Sequence, residues 1–155
     1  MTTKIHLLAD TRCRPLVRVT SAGQRHDSLA LQPLLTGPCI TRRGPGHPRT
    51  RPGWLLADMA YSSKATRSAL RRRHITAVIP EPADQTANRR RRGQGGGRPP
   101  TFDPELYKQR NTIERAINKL RQHRAVATRY DKRDFVYRGS VDVAAIRIWL
   151  RDPVP

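Results

Sequence analysis

With 155 residues, 36% of them hydrophobic, the chain has room for one ordinary domain around a modest core and reads as a single unit over residues 1–155. Its 31 Lys and Arg oppose 12 Asp and Glu, and a formal net charge of +19 favours polyanionic partners, nucleic acid above all. No apolar run approaches the ~18 residues of a membrane span, residues 1–14 carry no signal-peptide pattern, and Cys13, Cys39 and the five histidines lack metal-ligand spacing. The expectation is a soluble cytoplasmic, nucleoid-associated protein that has no dealings with membranes or a small-molecule substrate. The basic residues comprise five Lys and 26 Arg, a skew that suits bidentate phosphate contacts and that a G+C-rich genome also produces.

In chain order, residues 3–9 and 15–20 are β-branched and aliphatic runs separated by Asp10-Thr11-Arg12-Cys13-Arg14, the pattern of a β-hairpin. Leu29, Leu31, Leu34 and Leu35 predict a short helix over 28–35. Residues 36–53 hold four Gly and four Pro and read as a surface loop. Trp54-Leu55-Leu56-Ala57 is expected as a strand buried on both faces, with Asp58 at its C-terminal end. Ser62 or Ser63 can cap a helix running to about 73, and residues 76–79 form another strand, giving a strand–helix–strand unit of parallel-crossover length.

Residues 84–100 include Arg89-Arg90-Arg91-Arg92 and a Gly-rich stretch, a composition expected to stay a mobile basic loop because it buries little apolar surface. Such a loop is either a phosphate-tracking arm or a solvated linker. Asp103-Pro104-Glu105 is a strong helix start, predicting a helix to about 124 with Leu106, Ile113, Ile117 and Leu120 on its apolar stripe. Tyr107, Arg110, Glu114, Asn118 and Arg121 recur at steps of three and four along an adjacent face. A last helix over 138–150 places Val141, Ala144, Ala145 and Ile148 on a core-facing side.

Phosphodiester cleavage and strand transfer need an activated oxygen nucleophile and a stabilised leaving oxygen, work done by two divalent cations ~3.5–4 Å apart bridged by carboxylates. Carboxylates for such a site belong on rigid elements. Asp58 at a strand end and Glu114 within a helix meet that requirement. Each also has an ordinary reading, Asp58 as a turn or cap residue and Glu114 as the i,i+4 ion-pair partner of Arg110.

Tyr107, two residues, Arg110, three residues, Glu114, six residues and Arg121 resembles the Tyr-(2)-Arg-(3)-Glu-(6)-Lys signature of bacterial insertion-sequence DDE transposases, with Arg replacing the final Lys. Thr2-Thr3-Lys4-Ile5-His6, Gly23-Gln24-Arg25-His26-Asp27-Ser28, Ala57-Asp58-Met59-Ala60-Tyr61, Val78-Ile79-Pro80 and Ala127-Thr128-Arg129-Tyr130-Asp131-Lys132 extend the likeness over nearly the whole chain. The resemblance implies an α/β, ribonuclease-H-like fold, a mixed sheet flanked by helices. It implies Asp58 and Glu114 as the second and third catalytic carboxylates, both binding Mg²⁺ or Mn²⁺. Tyr107, Arg110, Lys119 and Arg121 would support the site or contact DNA near the cleaved phosphate; Arg121 also reads as a surface charge favoured at a helix C-terminus, and Tyr107 as a packing residue.

The chain departs from that pattern in two places. The first catalytic Asp of the family stands on a strand before the segment that begins here at Thr2, and Asp10 and Asp27, in a turn and a loop, are poor substitutes. The expectation is a catalytic domain truncated at the N-terminus, lacking its first strand, truncated or frameshifted and inactive in transposition on its own. Ala60 replaces the Gly of the usual Asp-x-Gly-Tyr, which would strain a backbone that needs positive φ. The competing reading is a non-catalytic basic DNA-binding protein, or an inhibitor that pairs with full-length transposase; self-association is open under both. An RNA-binding role lacks a platform of stacking aromatics at 5% aromatic content.

Overall fold

A computed structural model describes residues 2–42 and 44–151. Helices and two small sheets make an α/β chain, and where the sequence suggests one unit the residues group into two compact ones. One unit takes the chain up to Pro38 together with everything from Asn111 on; the other is Cys39–Arg110.

In the first unit β1 (Thr3–Ala9) and β2 (Pro15–Ala22) form the expected antiparallel hairpin, paired from Thr3↔Ala22 to Leu8↔Val17. Asp10 closes its turn. One carboxylate oxygen accepts the backbone N–H groups of Arg12 and Arg14 at 3.0 and 2.9 Å, and the other pairs with the Arg14 guanidinium at 2.6 Å. The predicted helix over 28–35 divides into a 3-10 turn, Asp27–Ala30, and α1 (Leu31–Thr36), which buries Leu31, Leu34 and Leu35.

After the crossover into the second unit and back, α5 (Asn111–Arg121), α6 (Arg124–Thr128) and α7 (Asp134–Arg151) complete the first unit. Leu120, Val126, Tyr137, Val141, Ala144 and Ile148 form its core, with Ile5, Leu7 and Ala145 packed against it. Burying such side chains contributes ~1.5–3 kcal/mol each. The Trp149 indole N–H donates to the Pro15 carbonyl at 2.6 Å, the Arg14 guanidinium lies 4.2 Å over the Trp149 ring, and Arg18 pairs with Asp142, so α7 is tied to β2 by polar contacts as well. The opposite side of α7 exposes Phe135, Val143, Ile146 and Leu150, making this helix apolar on two faces.

In the second unit, β3 (Trp54–Leu56) and β4 (Thr76–Val78) pair in parallel across α2 (Lys64–Arg72), as the strand–helix–strand pattern predicts. Ser63 caps α2 by accepting the Thr66 N–H at 3.0 Å. One expectation is corrected: β3 is not buried on both faces, because Leu55 is enclosed while Trp54 keeps 38% exposure. Among the described residues β3 pairs with β4 alone, so it stands at a sheet edge.

The basic segment also differs from its expectation as a mobile loop. Residues 84–100 contain most of α3 (Ala83–Arg91) and a 3-10 turn at Gly93–Gly96. Pro82 pre-sets the entry, Asp84 sits in the first turn and the arginines sit in the last, an order that suits the helix dipole. Polar pairing fixes the helix where apolar burial does not: Glu81 accepts from Arg89 at 2.7 Å and from Thr86 at 3.0 Å.

The predicted helix over 103–124 is likewise divided. Asp103 caps α4 (Pro104–Tyr107) by accepting the Leu106 N–H at 3.0 Å, a 3-10 turn follows at Lys108–Arg110, and α5 begins at Asn111. Asn111 and Thr112, whose side chains compete for backbone hydrogen bonds, stand at the junction. Extended backbone at His123 ends the run before α6.

Candidate active site

Asp58 follows β3 and opens the 3-10 turn Met59–Tyr61. Its Oδ1 accepts the Met59 backbone N–H at 2.7 Å, the capping role that a strand-end Asp takes most simply. Its Oδ2 faces the Arg110 guanidinium at 3.6 Å. Both side chains are part-exposed, 47% for Asp58 and 31% for Arg110, so the carboxylate is oriented from two sides while still reachable by solvent. Ala60 is not among the described residues with positive φ, which are Cys13, His74 and Arg129 besides glycines. The expected strain at Ala60 is therefore absent; the 3-10 turn accommodates a Cβ there.

Tyr107, in α4, packs its ring on Phe102 at 5.3 Å between centroids and is half-buried. Within this unit the structure thus brings together Asp58 and Arg110, which come from separate sequence motifs. Glu114, Lys119 and Arg121 lie on α5 in the other unit. Glu114 and Arg121 are exposed, and Lys119 donates to the Arg12 carbonyl at 3.2 Å. Asp10 is occupied with its turn, and Asp27 pairs with Lys4 at 2.7 Å, a hydrogen bond that holds its carboxyl below the usual range.

Sequence reading missed the polar network behind Asp58. Ser62, 3% exposed, ends the turn that Asp58 opens. Its carbonyl accepts from the Gln85 amide, and its hydroxyl donates to the Gln85 side-chain oxygen at 3.3 Å and accepts from Arg67 at 2.9 Å. Arg67 also donates to the Ile79 carbonyl at 2.8 Å, and its burial pushes its pKa down while Glu81 opposes that shift. None of these residues has a motif spacing that would announce the network; only the Ser at the head of α2 was visible.

Among the described residues no three His, Cys, Asp or Glu side chains gather where a metal ion could be held.

A family model described as a transposase DDE domain matches residues 1–146. The chain belongs to the DDE transposase family. Among relatives of this DDE chain, a Brucella ovis protein named for a transposase of insertion sequence element IS6501 is 32% identical over 151 residues, spanning 97% of this chain and 100% of that protein. A Burkholderia cepacia protein named for a transposase of insertion sequence element IS402 is 31% identical over 130 residues, 84% of this chain and 54% of that relative. No solved structure matches. Family membership makes the pairing of Asp58 with Arg110 informative, because both stand in the stretches that carry the family resemblance. Among the described residues no helix of this DDE chain is long and apolar enough to cross a membrane.

Proposed function

We propose that this chain supplies Asp58 and Glu114 as catalytic carboxylates for cutting and joining insertion-sequence DNA, with Arg110 orienting Asp58. Tyr107, Lys119 and Arg121 support the site or touch DNA beside the reacting phosphate. The observation that carries this reading is the Arg110 guanidinium 3.6 Å from Asp58 Oδ2, which joins the helical signature to the strand-end acid. An ordinary turn Asp needs only the Met59 N–H; a guanidinium from a distant segment on its second oxygen fixes the direction of the carboxylate. The family's chemistry draws on divalent metal ions, and Asp58 and Glu114 are the oxygen donors this chain would contribute. A ribonuclease-H-like domain belongs to the same reading, supported by the parallel β3–α2–β4 unit and the β1–β2 hairpin.

The net charge of +19 also suits a protein that only holds DNA. The two readings separate on Asp58→Asn. An insertion element carrying this substitution in its native sequence context should stop moving, while the purified variant binds duplex DNA as tightly as the parent or more so. Unchanged movement of the element overturns the catalytic role; weakened DNA binding together with lost movement points to a folding defect instead.

A further inference from the structure

The arginine run on α3 is the feature that the candidate active site does not use. Arg89 turns toward Glu81, an ion pair that raises the guanidinium pKa and lowers the carboxyl. Arg90, Arg91 and Arg92 are exposed, and among the described residues the Arg91 guanidinium finds only the neutral Asn88 side-chain oxygen, at 2.9 Å. Among the described residues, Arg89 is the member of this run with a carboxylate partner. Adjacent uncompensated cations repel one another, and the helix dipole offsets that only within the last turn. An ordered helix end carrying three such groups calls for anions from outside.

We propose that the C-terminal end of α3 is a preformed phosphate-contact surface for the backbone of duplex DNA, centred on Arg90, Arg91 and Arg92. The proposal rests on the transposase reading and extends it by naming the surface. Two observations argue for a built element over a solvated tail. First, α3 is fastened to the turn that Asp58 opens: Gln85 bonds both the carbonyl and the hydroxyl of buried Ser62, and Glu81 grips Arg89 and Thr86. Second, Gly96 lies so close to the Arg89 carbonyl that a Cβ would overlap it, so the Gly-rich turn folds back on the helix end and does not trail away. Phosphates held by α3 would therefore keep a fixed register to Asp58 within one compact unit. Backbone contacts of this kind position the duplex and carry no sequence preference.

The test is a salt series of duplex-oligonucleotide binding by the whole chain. Each phosphate neutralised adds ~0.9 to the slope of log K against log salt. The variant R90Q/R91Q/R92Q, which keeps good helix formers, should lower the slope by about 2.7, and R91Q alone by about 0.9. The charge-matched variant R133Q/R147Q/R151Q should leave the slope nearly unchanged. Equal losses in both triple variants, or no loss in the α3 variants while the parent binds DNA, overturn the surface and leave the transposase reading standing. A parent chain with no salt-dependent DNA binding also overturns the surface, and the transposase reading is then decided by movement of the element carrying Asp58→Asn.

Discussion

The Arg110 guanidinium lies 3.6 Å from the Asp58 carboxylate, and the two side chains retain 31% and 47% exposure. An ion pair so open to water is worth only ~0–1 kcal/mol of stability. In the proposed function its value is directional. Arg110→Ala should therefore leave the denaturation midpoint almost unmoved while cutting transposition of the element by about tenfold or more, as expected when a reacting group is misplaced by ~1 Å. Arg110→Lys keeps the charge but not the planar fork and should recover only part of the activity. A variant that loses stability and activity together would mark Arg110 as a structural strut.

Gly95 and Gly96 are neighbours with opposite surroundings. A Cβ on Gly96 overlaps the backbone carbonyl of Arg89, whereas one on Gly95 meets nothing within 4 Å. Gly96→Ala should fray the last turn of α3 at a cost of ~1–3 kcal/mol. Amide hydrogen exchange at Arg91 and Arg92 would then quicken by about tenfold per ~1.4 kcal/mol, with Gly95→Ala close to the parent. Equal exchange in the two variants would show that the Gly-rich turn does not press on the helix.

His6 is 7% exposed and hydrogen-bonded to Ser21 Oγ at 2.8 Å. Burial lowers its pKa, the Asp27 carboxylate opposes the shift, and the Lys4 ammonium adds to it. The unfolded chain thus takes up the proton first as pH falls through the ordinary imidazole range of about 6.5. Stability contributed by the neutral ring is complete above that range and is lost below it. The urea midpoint should drop between about pH 7.5 and 5.5, and His6→Gln should flatten the dependence in that window. Asp27 and Glu81, both lowered by cationic hydrogen-bond partners, extend the loss of stability toward more acidic pH. A midpoint that rises on acidification would contradict the sign of the His6 effect.

Local patterns foretold those elements whose stabilisation is itself local. The β1–β2 hairpin follows from two β-branched runs around a turn that Asp10 closes, and α2 from Ser63 at its head. Helix α3 was illegible because nothing in it is buried; Glu81–Arg89 and Ser62–Gln85 are pairings across eight and 23 residues that no periodicity encodes. The 3-10 turn at Lys108–Arg110 broke a helix whose cap and stripe looked continuous. Asp58 was visible as a strand-end acid, yet its neighbour Arg110 is 52 positions away in sequence, and only the fold reveals that they meet.

The most direct measurement is the transposition frequency of the intact insertion element carrying Asp58→Asn or Glu114→Gln, compared with Glu105→Gln as a control. Glu105 is an exposed acid of α4 paired with Lys108, outside the proposed site. Loss of either proposed carboxylate should lower movement by about 10²-fold or more, while the control stays near the parent. If elements carrying Asp58→Asn or Glu114→Gln move at the parental rate, these residues are not the acids that cut and join the DNA.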